Sequence, residues 1–235
     1  MGVKDAFAAM GELLVTSGAG WARAMHRQAW AGVLIIVAIG AAAGFLQSHH
    51  TPQGLNVLRP VADSILAFVF FADAMRALDP RYRIDGRRFL RLAGIAISTH
   101  VITLFAAMVP GVIAVFLFHH NLVLAFLVIV PVIIFFDARF CFVWFVSERA
   151  DDPVASSWSL TAGVTLFATI VPAAIAWVPT IAVFLISAHI TQRYGWFTPT
   201  EQVAAAATLA AFLRNAWIYP LTARWLETCT RVNRA

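Results

Sequence analysis

Six long apolar segments alternate with short polar joints along 235 residues, a pattern that leaves a bundle of membrane-crossing helices as the natural fold. A helix crossing the hydrocarbon core needs about 20 mostly apolar residues, so six of them with short connections leave no room for a separate soluble domain. Residues 1–235 therefore read as a single membrane domain of the all-α class. Composition agrees with this reading. The chain is 61% apolar and 12% charged with a mean hydropathy of +0.80, whereas soluble domains run at about 45 to 50% and about 25%.

Val3, Phe7, Met10 and Leu14 recur at helical spacing against Lys4, Asp5 and Glu12, which predicts an interfacial amphipathic helix over 3–26. A break is expected at Ser17-Gly18-Ala19-Gly20. The spans are expected at about 29–46, 60–78, 89–118, 122–146, 155–190 and 203–223. Some thirty residues bearing Lys4, Asp5, Glu12, Arg23 and Arg27 precede the first span, which argues for an anchor and against a cleaved leader. Gly40 and Gly44, four apart in that span, would let another helix approach closely. Pro110, Pro131, Pro172, Pro179 and Pro220 lie within or at the ends of spans, where each removes a helix hydrogen bond.

The joint from Arg76 to Arg91 holds Arg76, Arg81, Arg83, Arg87, Arg88 and Arg91. With Lys4, Arg23, Arg27, Arg149, Arg224, Arg231 and Arg234 it falls on one side of the predicted membrane. The other side has only Arg59 and Arg193. Positive residues stay on the cytoplasmic side, so both termini are expected there. The net charge of +5 thus reads as topology and as attraction to anionic lipid, with no nucleic-acid partner. Arg81, Arg83, Arg87, Arg88 and Arg91 are the expected head-group contacts.

Counting about 1.5 Å per residue from the span ends, Asp73, Arg76, Asp137, Arg139 and Arg214 fall at similar depth, with His100 slightly nearer the midplane. Charges in a span are expensive, so these groups are expected to face the bundle interior and pair, Asp73 with Arg76 one turn away. They read either as a polar pathway for an anion or proton, or as structural ion pairs. Arg214, beside Asn215, is the deepest arginine. On the opposite side stand His49, His50, His119, His120 and His189, imidazoles that could bind a transition metal or sense pH, although their spacing matches no defined metal motif. No metal or other cofactor is expected. Cys141 and Cys229 give no disulfide framework. The motifs HExxH, GxSxG, GxxxxGK[ST] and GxGxxG do not occur, so no enzyme is expected.

The run Asp137-Ala-Arg139-Phe, then Phe145-Val-Ser-Glu148, then Pro153 through Ser157 to Leu160-Thr161-Ala-Gly163, with Tyr219-Pro-Leu later, resembles a group of bacterial membrane proteins. These are the glycerophosphodiester phosphodiesterase membrane-domain family and related YciC-like proteins. The resemblance implies a polytopic protein of the bacterial inner membrane, without the separate catalytic barrel. In physical terms the same stretch is an elbow between the fourth and fifth spans, with Pro153 opening a helix and Glu148 able to meet Arg139 or the arginine joint. The expected function is a non-enzymatic membrane-organising or accessory subunit in contact with anionic lipid, alone or in a homo-oligomer or larger complex. The alternative is a small transporter or channel lined by the buried charges.

Overall fold

The structure, a computed structural model, describes residues 2–48, 55–117, 122–194 and 199–232. Among these residues the fold is all helical. The helices are α1 (Val3–Ser48), α2 (Leu55–Leu78), α3 (Gly86–Leu117), α4 (Leu122–Phe140), α5 (Val143–Val146), α6 (Pro153–Leu160), α7 (Val164–Tyr194) and α8 (Pro199–Val232). Four stretches of the described residues are long and apolar enough to cross a membrane: Gly20–Leu46, Gly86–Leu117, Val128–Val146 and Thr165–Ser187. They mark the chain as a membrane protein.

The expected break at Ser17 to Gly20 is absent, and α1 runs unbroken for 46 residues, about 69 Å at 1.5 Å per residue. Its hydroxyls are satisfied inside the helix, Thr16 donating to the Leu13 carbonyl and Ser17 to that of Leu14 at 2.8 Å. Met10, Ser17, Ala24 and Ala31 recur every seven residues and are all buried. That stripe continues through the glycines. A glycine in a helix costs about 1 kcal/mol relative to alanine, too little to stop a helix buried along one side.

Two compact units divide the chain: Met1–Glu12 with Arg83–Ala174 and Arg224–Ala235, and Leu13–Tyr82 with Ile175–Ala223. The chain passes between them inside α1, α7 and α8 and once in the joint between α2 and α3, so neither unit is one continuous segment.

In the second unit, Ala24 of α1, Leu66 and Phe70 of α2, and Phe212 and Ala216 of α8 form one buried cluster. Ile39 and Ala43 of α1, Ala62 of α2 and Ala204 of α8 form another. Going from the first cluster to the second, numbers rise along α1 and fall along α2 and α8, so α1 is antiparallel to both. Among the described residues, no heavy atom outside the nearby backbone of α1 comes within 4 Å of a Cβ built on Gly40, whereas one built on Gly32 would lie 2.6 Å from the Phe212 ring.

In the first unit, α3 and α4 form an antiparallel pair, as the four residues between them require, with Gly111 facing Ile129. Asp85 caps α3 by accepting from the Arg88 amide at 2.8 Å. The expected fourth span divides into α4 and the single turn α5. The expected fifth divides into α6 and α7 at Thr161-Ala162-Gly163, where Gly163 takes φ +60°. Asp152 caps α6 by accepting from the Ala155 amide at 2.9 Å, and Pro153 occupies the first turn. Trp144 and Trp225 are buried, and Trp225 donates to Thr169 Oγ1 at 2.9 Å.

Candidate functional site

The charges predicted to gather at one depth separate into distinct arrangements. In the second unit α2 carries two carboxylates ten residues apart, each held by an arginine and the amide side chain next to it in sequence. Asp73 accepts from Arg27 Nη2 at 2.8 Å and from Gln28 Nε2 at 3.3 Å. Asp63 accepts from Arg214 Nη2 at 2.8 Å and from Asn215 Nδ2 at 3.0 Å. In both cases the arginine takes Oδ2 and the amide takes Oδ1. Each carboxylate therefore spreads its charge over two donors, the arrangement a partly buried anion needs. The Arg214 guanidinium also lies 5.9 Å from the centre of the Trp177 ring.

Arg27 takes the place expected for Arg76. Asp73 lies in a run of α2, 70–74, that is buried all round, and it meets α1, while Arg76 nearly one turn later is exposed. The side chain of Asp73 is 10% exposed and that of Arg27 54%; for Asp63 and Arg214 the values are 20% and 25%. The Arg214 pair is thus the more enclosed of the two. Asp63 escaped the sequence reading although it lies in the apolar segment 60–78. The pointer to it was the repeated dipeptide, an arginine followed by an amide, at Arg27-Gln28 and Arg214-Asn215.

In the first unit Arg139 stands at the last turn of α4. Its Nη1 donates to the Trp158 carbonyl at 3.1 Å and to the Thr161 carbonyl at 2.9 Å. Those carbonyls end α6, where helix geometry leaves acceptors without partners and a cation is favoured. The guanidinium carbon lies 4.6 Å from the centre of the Trp158 ring and 5.4 Å from that of Phe135. Phe136 and Phe140 complete the aromatic cluster around Trp158. In return Ser157 Oγ donates to the Arg139 carbonyl at 2.7 Å. The elbow read from the sequence is present and Arg139 pins it. Asp137 is half-buried on α4, about 200° round the helix from Arg139.

The arginine joint is only partly open. Arg88 Nε donates to Glu148 at 3.1 Å and its Nη1 to the Arg83 carbonyl at 2.7 Å, while Arg91 Nη2 donates to the Ala150 carbonyl at 2.7 Å. Two of the arginines expected on lipid thus clamp the 148–150 loop. Arg76, Arg81, Arg83 and Arg87 are exposed, and no ion pair among the described residues engages them.

His100 is exposed on α3, away from the interior position expected for it, and His189 is exposed on α7. His49, His50, His119 and His120 lie outside the described residues. Among the described residues no three His, Cys, Asp or Glu side chains come together as a metal site. Comparisons with protein-family models, with curated proteins and with solved structures each gave no match.

Proposed function

We propose that this chain is a non-enzymatic, polytopic protein of the bacterial inner membrane, whose open arginines hold anionic phospholipid at the ends of its helices. One observation carries the reading. Arg83 and Arg87 are exposed around the start of α3, and the same helix continues with exposed Phe89, Leu90, Ile97 and Val101. A basic cluster leading into a lipid-facing apolar surface fits an anionic head group and its acyl chains. The resemblance of 137–163 to the glycerophosphodiester phosphodiesterase membrane-domain and YciC-like proteins supports the same assignment.

The two carboxylate clamps support six crossings in place of four. Helix α2 bears Asp63 and Asp73 and helix α8 bears Arg214; unpaired, each would cost about 2.5 to 3.5 kcal/mol at a span centre. Paired as they are, α2 and α8 can enter the bilayer together with α1. Six crossings put both termini on one side, and the arginine bias makes that side cytoplasmic. The paired carboxylates also weigh against a transport path, which needs a charged group open to its cargo. Asp63 and Asp73 already hold two donors each.

Purification in a mild detergent followed by native mass spectrometry tests the reading. The protein should retain phosphatidylglycerol over phosphatidylcholine, and a variant with Arg81, Arg83 and Arg87 changed to Gln should lose that preference. Equal retention of the two lipids by the wild-type protein would refute it.

A further inference from the structure

Arg139 lies within the membrane-spanning stretch Val128–Val146, yet no carboxylate among the described residues pairs with it. Among the described residues, the hydrogen bonds that its side chain donates all leave from one nitrogen. Nη1 serves the Trp158 and Thr161 carbonyls. The Nε–H is buried with no hydrogen-bond partner in the structure, and Nη2 has none among the described residues. Nε and Nη2 together form the side-on edge of a guanidinium, the edge that takes two oxygens of a carboxylate or phosphate at once.

The nearby acids are otherwise disposed. Glu148 pairs with Arg88, Asp152 caps α6, and Asp137 lies on another side of α4. The Trp158 and Phe135 rings and the α6 carbonyls hold the guanidinium in one orientation, with Nη2 at the open end of this edge and Nε at its covered end. A fixed cation with an unpaired edge near the end of a membrane helix calls for an oxyanion.

We infer that the Nε and Nη2 edge of Arg139 is a phosphate-binding site, filled by the phosphate of a phospholipid head group or by free phosphate. Nη2 makes the first contact, and the buried Nε supplies a second donor once side chains at its cover shift. The site draws on none of the open arginines of the joint, so each can fail without the other. Lysine could not replace Arg139, because an ammonium has neither the flat face for Trp158 nor the two parallel donors.

The test uses the full chain in a phosphate-free glycoside detergent with all native lipid removed. Three additions are compared by melting temperature and by tryptophan emission, to which Trp158 contributes directly: phosphatidylglycerol, a phosphate-free galactolipid, and sodium phosphate against sodium chloride at equal ionic strength. A rise in melting temperature with phosphatidylglycerol and not with galactolipid assigns the site to lipid phosphate; a rise with sodium phosphate assigns it to the free anion. In either case the rise should be lost in Arg139→Lys and kept when Arg81, Arg83 and Arg87 are changed to Gln. If Arg139→Lys does not fold, the emission of Trp158→Phe in the same additions replaces it, and the phosphate-dependent change should disappear. Wild-type protein indifferent to both phosphate sources, or a response that survives Arg139→Lys, overturns the assignment.

Discussion

Arg214 on α8 donates to Asp63 on α2 at 2.8 Å, joining residues 151 positions apart in the chain. Asn215 takes the second carboxylate oxygen, so the contact sets both the separation and the rotation of the two helices. Breaking one side of such a pair leaves a charge enclosed without its counterpart, which costs about 3 to 5 kcal/mol for a fully buried pair and less here, where both side chains retain some exposure. Arg214→Leu should therefore lower the melting temperature sharply. Changing Asp63 and Arg214 together to Leu should recover most of the loss, because no stranded charge remains. A double variant as unstable as the single one would show that the pair does more than neutralise charge.

The second clamp should be weaker. Arg27 is half exposed, so water already shares its charge, and exposed pairs contribute about 0 to 1 kcal/mol. Arg27→Gln should cost clearly less than Arg214→Gln when both are melted in the same detergent. Adding salt should narrow the difference between wild type and Arg27→Gln. An equal cost at the two positions would mean that Arg27 is far more enclosed in the folded protein.

Gly32 is where a side chain on α1 would meet the Phe212 ring, at 2.6 Å from a Cβ. Phe212 is buried in the cluster with Leu66 and Phe70 and stacks edge-on to Phe70 at 5.2 Å, so its ring has little room to move. Gly32→Ala should destabilise the fold by about 1 to 3 kcal/mol through overpacking. Combining it with Phe212→Leu should restore part of that loss. Gly40→Ala, with open space at its Cβ, should instead raise stability by up to about 1 kcal/mol, which a parallel melt would check.

Apolar length made the helices legible, and local chemistry did not always mark where they stop. The break expected at Ser17 to Gly20 rested on residues that prefer turns, but those hydroxyls bond within α1 and the buried stripe on either side keeps the helix intact. The opposite happened at 155–190, where an apolar run conceals the turn at Gly163 because neither Thr161 nor Ala162 is a strong breaker. Glu148 meeting Arg88 was within reach of the sequence, since both stand in joints assigned to the same side. The partner of Asp73 was not, because nothing local distinguishes Arg76 one turn away from Arg27 on another helix. Asp63 by itself is equally silent: a single carboxylate in an apolar run gains meaning only beside the arginine-amide dipeptide that holds it, here Arg214-Asn215 on the facing helix.

Cys229 near the end of α8 offers a chemical check on packing in the first unit. Burial pushes its thiol up to about 12 from an ordinary 9.0. At pH 7 the reactive thiolate is then about a thousandfold scarcer than for a free cysteine. In a Cys141→Ala background, maleimide should label Cys229 slowly in the folded protein and quickly after unfolding in sodium dodecyl sulfate. The same shift predicts a pH effect on stability. Below about 9 the thiol is protonated in both the folded and the unfolded chain and contributes no pH dependence. As pH rises from about 9 towards 12, the unfolded chain releases its proton while the folded chain retains it, so this contribution is progressively lost. Cys229→Ala should flatten that part of the stability profile. Rapid labelling of the folded protein at pH 7 would show that the last turns of α8 open to water.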